Sequence, residues 1–241
     1  MNALDFFLFA IFPYLCLAVF LMGSLARFDR DQYTWKSDSS LLLRSSGMRL
    51  ASNLFHFGIL FLLIGHAFGL LTPQWAYEWL ISPESKKVVA NVSGGLAGVA
   101  CFIGLTILLH RRMFDARIRL TSHRTDLAIL IILWVQLALG LSTLLFSRYD
   151  AAEVGEMLTV SKYLQSLVIF QPNIELMAQV SLLTKLHMLL GMLIFLLFPF
   201  SRLVHVWSGL ATLAYLWRPR QIVRSRRLNV PADRQQPRRA P

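Results

Sequence analysis

The stretch LASNLFHFGILFLLIGHAFGLLTPQWAY (50–77) runs for twenty-eight residues without an Asp, Glu, Lys or Arg. A bilayer's hydrocarbon core is about 30 Å thick, and about 20 apolar helical residues cross it. This run is therefore long enough to span a membrane. Three more uncharged runs, 6–26, 88–110 and 127–147, are also long enough. A shorter run, 186–201, lies between Lys185 and Arg202. Adding 176–184, with Lys185 and Arg202 snorkelling to the interface, makes it a fifth span. The expected fold is an all-α integral membrane protein with five transmembrane helices, at about 4–26, 50–72, 88–110, 127–147 and 178–206. They form one membrane domain over 1–225, followed by a basic tail, 226–241, expected to be disordered.

The composition points the same way. Hydrophobic residues make up 56% of the 241 and charged residues 15%, against about 25% charged in a typical soluble protein. Mean hydropathy is +0.54. A disulfide-stapled secreted domain is excluded, because Cys16 and Cys101 are the only cysteines and both sit in apolar runs. The first run opens with Asp5 rather than a basic segment and lacks a short apolar core before a small-residue cleavage site, so it reads as a retained helix. Pro13 and Pro199 fall inside spans, where neighbours must satisfy the carbonyls that proline leaves free.

The formal net charge is +11. Nineteen of the 24 basic residues fall in three places: the 27–49 loop, the 111–124 loop and the segment from Arg202 onward. The other five are Lys86, Lys87, Arg148, Lys162 and Lys185. Basic residues collect on the cytoplasmic side of membrane proteins. The N-terminus is thus expected outside (periplasmic) and the C-terminus in the cytoplasm. The basic excess reports topology and implies no nucleic-acid partner.

His110 and His123 flank a basic loop and read as wet interfacial residues. His56, His66, His187 and His205 lie within the expected second and fifth spans, where an ionisable group is costly and marks a functional hypothesis. The two helices run in opposite directions, so depth pairs His66 with His187 and His56 with His205. Ten helical residues separate one set by about 15 Å and eighteen the other by about 27 Å, at 1.5 Å per residue. The pairing is expected to be asymmetric, with about 6 Å absorbed at each end by tilt or a kink at Pro199.

Two imidazoles facing across a bundle suit the axial positions of an iron porphyrin. Zinc would gather its ligands at one depth. No Cys-x-x-Cys-His occurs, so the implied haem is non-covalent, b-type. Gly58, Gly65, Gly69 and Gly191 are candidates for close approach to it, or for plain helix packing. Helix–helix hydrogen bonding by single histidines, and proton relays in a transporter, stay open as other readings.

DQYTW (31–35), GMRLASNLFHFGIL (47–60), GHAFGLLTPQW (65–75), RRMFDARIR (111–119) and LHMLLGMLIFLLFPFSRLVHVWS (186–208) together resemble the gamma subunit of membrane-bound respiratory nitrate reductase. This is a dihaem cytochrome b of the bacterial cytoplasmic (inner) membrane. The likeness covers roughly residues 1–225, and 148–180 is its least recognisable part.

The resemblance implies two haem b groups, with His66 and His187 as axial iron ligands of the outer one and His56 and His205 of the inner one. It implies that quinol is oxidised near the outer haem, with Lys86 matching the lysine associated with quinol binding. Electrons then pass to an iron–sulphur beta subunit and a molybdenum-containing alpha subunit that reduces nitrate in the cytoplasm. Arg112 and Arg202 are candidates for the haem propionates, and equally for positive-inside residues. A related dihaem cytochrome b serving another quinone-linked complex, such as one of sulphur metabolism, is the nearest alternative. On the cytoplasmic face, ATLAYLW (211–217) is the expected centre of the surface that docks the partner subunits.

Overall fold

The computed structural model describes residues 3–31, 34–35, 40, 43, 46–146 and 153–208. The docking segment 211–217 and the tail 226–241 lie outside the described residues. Met1–His205 form one compact unit. Its helices are α1 (Ala3–Arg30), α2 (Met48–Leu71), α3 (Pro83–Phe114), α4 (Ala116–Thr121), α5 (Arg124–Phe146), α6 (Glu153–Val168) and α7 (Leu182–Leu197). Five segments are long and apolar enough to cross a membrane: Ala3–Arg30, Met48–Leu71, Pro83–Phe114, Arg124–Leu145 and Leu182–Phe200. Their outward faces carry Phe57, Phe68 and Leu96, each more than 70% exposed, as befits a chain whose solvent is lipid.

Local chemistry sets the helix ends. Gly47 begins α2 in the left-handed region (φ 68°), which a side chain would strain. Ser82 caps α3, accepting from the Ser85 amide, with Pro83 at the first position, where no N–H is needed. Asp115 ends α3 and caps α4, its carboxylate accepting from the Arg117 and Ile118 amides. Ser181 caps α7 through the Thr184 amide.

Helix α2 packs along α3, α3 along α5, α5 along α7 and α7 along α1. The α2–α3 contact is the tightest. A Cβ on Gly58 would stand 2.7 Å from the Cys101 Cβ, and one on Gly104 would stand 2.6 Å from the Phe55 nitrogen. Gly58 therefore serves helix packing. The core between α3 and α5 is Cys101, Leu105, Ile129, Leu130, Leu133 and Leu137.

Two elements differ from the sequence-based expectation, both because of proline. Pro13 has no N–H to give the Phe9 carbonyl four residues back, and α1 widens into a π turn over Phe7–Ile11. The Tyr163 hydroxyl, fully buried on α6, donates to that carbonyl at 2.7 Å. The fifth segment was expected as one helix over 178–206. Instead, 3₁₀ turns cover Ile174–Gln179, the α-helix occupies Leu182–Leu197, and it gives way to 3₁₀ turns at Phe198–Phe200 and Arg202–Val204. Between the last two, Ser201 is extended (φ −117°, ψ 175°). Pro199 cannot continue the helical ladder, so the chain turns before it reaches His205.

Helix α6 went unread in the sequence. Its Gln165 Nε2 donates to the Leu70 carbonyl at 3.1 Å and to the Thr72 carbonyl at 3.4 Å, and the Ser161 hydroxyl also donates to Leu70. These donors satisfy carbonyls that the end of α2 leaves without helical partners.

Candidate haem-binding pairs

Helix α2 carries His56 and His66 ten residues apart, about 15 Å along its axis. The structure brings His56 against His205, ring centres 6.3 Å apart with planes at 72°. It brings His66 against His187, also 6.3 Å apart, with planes at 42°. The two separations are equal, where unequal ones were expected, although the ring planes differ. A straight fifth helix would have carried the histidines about 12 Å too far apart, and the break at Phe198–Ser201 removes that excess. Among the described residues no three His, Cys, Asp or Glu side chains gather as a metal site.

The ring separations can be tested against an iron held between two imidazoles. Metal–imidazole bonds of about 2.0–2.1 Å, plus roughly 1.1–1.2 Å from ring nitrogen to ring centre, put the centres about 6.2–6.6 Å apart. Both pairs fit.

The protons fit as well. His56 Nδ1 lies 2.7 Å from the Ser52 carbonyl, His66 Nδ1 2.7 Å from that of Leu62, and His205 Nδ1 2.7 Å from that of Arg202. A carbonyl only accepts, so each Nδ1 carries the hydrogen and each Nε2 keeps a free lone pair.

His187 is held differently. Its Nδ1 is buried without a hydrogen-bond partner among the described residues. Gln136, on α5, donates to the His187 carbonyl at 3.1 Å and lies 3.5 Å from its Nε2. One turn further along, Gly140 lies so close that a Cβ there would stand 2.9 Å from the imidazole Cε1. Gln136 escaped the sequence reading, although an amide in the middle of an uncharged span was a signal.

The family model for the nitrate reductase gamma subunit matches residues 5–226. The chain belongs to that family. It is 46% identical over 227 residues to the respiratory nitrate reductase 1 gamma chain of Escherichia coli (strain K12), covering 94% of this chain and all of that one. It is 37% identical over 220 residues to the nitrate reductase gamma chain of Bacillus subtilis (strain 168), covering 91% of this chain and 97% of that one. It is 30% identical over 155 residues to an Hdr-like menaquinol oxidoreductase cytochrome b-like subunit of Archaeoglobus fulgidus, covering 63% of this chain and 45% of that one. A gamma subunit of this family is a multi-pass membrane cytochrome b, the electron-transfer member of a multi-subunit oxidoreductase.

Three other residues singled out in the sequence have clear positions. Lys86 lies in the first turn of α3 with its Nζ 3.6 Å over the centre of the Tyr77 ring. Tyr77 is buried, and burial first, then the Glu78 and Glu84 carboxylates, raise its phenol above the ordinary value. The ring under the ammonium is thus a neutral phenol. Arg112 and Arg202 meet at one carboxylate: Asp126 Oδ2 lies 3.3 Å from Arg112 Nη1 and 3.7 Å from Arg202 Nη1. Arg112 also donates to the Ser122 hydroxyl at 2.9 Å. Asp126, 4% exposed, was missed because it stands just before an uncharged run and reads as a span boundary.

Proposed function

We propose that this gamma subunit holds two haem b groups, one between His66 and His187 and one between His56 and His205. Through them it transfers electrons from membrane quinol to an iron–sulphur beta subunit and a molybdenum-containing alpha subunit that reduces nitrate. The observation that carries this reading is the pair of 6.3 Å ring separations at two depths. The haems, when bound, supply one-electron carriers at those depths.

The chain's own residues do the rest. Carbonyls of Ser52, Leu62 and Arg202 fix the tautomers. Lys86, steadied over Tyr77 near the α2–α3 turn, is the residue we assign to the quinol oxygen. Quinol gives two electrons and two protons, and nitrate takes two of each to become nitrite and water. Only the electrons travel through the bundle. We place the His66/His187 level on the outer side and the basic loops in the bacterial cytoplasm, following the charge asymmetry. The name of the Archaeoglobus relative, a menaquinol oxidoreductase subunit, supports a quinol as donor.

The test is pyridine haemochrome and redox difference spectroscopy of the assembled complex. Two b haems per chain are expected. Replacing His66 or His187 should remove one signal, and replacing His56 or His205 the other. A haem-free native complex, or one haem lost in all four variants, would overturn the assignment.

A further inference from the structure

The break in the fifth segment leaves two carbonyls outside the helical ladder. In a continuous helix the Pro199 carbonyl would accept from the Leu203 amide, and that of Ser201 from the His205 amide. Here Leu203 donates to the Ser201 hydroxyl at 3.2 Å, while His205 donates to the Arg202 and Leu203 carbonyls. Helix α1 supplies the missing donor. Arg27 Nη1 donates to the Pro199 carbonyl at 2.7 Å and to that of Ser201 at 2.8 Å. The other edge of the same guanidinium is anchored at Thr34, with Nε at 3.1 Å from the hydroxyl and Nη2 at 3.2 Å from the carbonyl.

The same face of α1 is shaped to the break. Gly23, one turn before Arg27, lies where a Cβ would meet the fully buried Pro199 ring at 2.8 Å. Phe20, one turn earlier, packs edge-on against Phe195 and Phe198, with ring centres 5.2 and 4.8 Å apart. An aromatic prop, a notch for the proline and a forked cation thus line up over the segment that departs from the helix.

We propose that Arg27 is a positioning residue for the inner histidine pair: its guanidinium fixes the break at 198–201 and thereby sets His205 opposite His56. The inference rests on the dihaem reading. It adds a role for a residue that charge counting assigns only to membrane topology. Lysine cannot replace it, because one ammonium lacks the planar fork that spans two carbonyls and the Thr34 anchor.

The test uses the assembled complex, with Arg27→Lys, which keeps the charge, and Gly23→Ala, which pushes on Pro199 and leaves the guanidinium in place. Inner and outer signals are assigned by their loss in His56→Ala and His66→Ala. Both variants should keep the outer haem's electron paramagnetic resonance signal and midpoint potential. The inner low-spin signal should fall by at least half or convert to high-spin. Native inner signals and potentials in both variants would overturn the proposal. So would loss of both haems together in both, which would make Arg27 a support of the whole bundle. A native complex without haem would instead fail the reading beneath it.

Discussion

A lysine at a bilayer's edge is ordinarily a solvated charge, yet Lys86 rests on a buried aromatic ring. A cation over an aromatic face contributes about 0.5–2 kcal/mol, rising as water is excluded. That contact holds the ammonium in one direction at the mouth of α3. Replacing Lys86 by Ala should weaken quinol-dependent haem reduction while leaving both haems bound. Replacing Tyr77 by Leu keeps the charge but frees its direction, so it should raise KM for quinol less than Lys86→Ala does, by roughly 2- to 30-fold. Stopped-flow haem reduction with a soluble quinol analogue reads both. Native kinetics in Lys86→Ala would remove the lysine from the quinol site.

At the scale of elements, the spans were legible because apolar length is a property of composition. What the sequence hid was how prolines redirect them. Pro13 and Pro199 were visible, but the donors that answer them, Tyr163 and Arg27, are more than 145 residues away in sequence. The four histidines and their pairing could be read from depth. Their equal separations could not, because the sequence marks Pro199 as a place to kink without fixing how far the chain turns there. Helix α6 was hidden because the residues that cap α2, Ser161 and Gln165, are interleaved with those that pack on α1, Val160 and Tyr163, which leaves no long apolar run.

Helix packing was one open reading of Gly58, but the closest contact, at Gly104, was not read, since a glycine looks the same in lipid as against a neighbour. Gly104 and Gly94 lie on the same helix, so a valine at either carries a similar helix-propensity cost. Of the two, Gly104 faces backbone atoms, whereas nothing among the described residues lies within 4 Å of a Cβ on Gly94. Gly104→Val should therefore lower stability by about 1–3 kcal/mol more than Gly94→Val, the usual cost of overpacking. Denaturation of the detergent-solubilised complex, followed by haem release, measures the difference. Equal midpoints would mean that α2 and α3 are not as closely packed as the glycines imply.

For the whole molecule, the two histidine levels, about 15 Å apart along α2, cover half of a hydrocarbon core about 30 Å thick. A charge crossing the full membrane gains or loses about 2.3 kcal/mol per 100 mV, so one moving between these levels feels about half of that. With the His66/His187 level outside, an inside-negative potential opposes electrons moving inward. Under the proposed orientation, protons released outside and consumed inside would add to the same potential without any proton channel.

In vesicles containing the oriented complex, imposing 100 mV, negative inside, should shift the relative potentials of the two levels by about 50 mV. At 59 mV per tenfold for one electron, the ratio of outer to inner haem reduction should rise about sevenfold. Spectra taken at fixed ambient potential before and after a potassium diffusion potential would read this ratio. No shift would place both pairs at one depth, against the geometry of α2. A shift of the same size in the opposite direction would keep the geometry and reverse the orientation, putting quinol oxidation and its proton release on the cytoplasmic side.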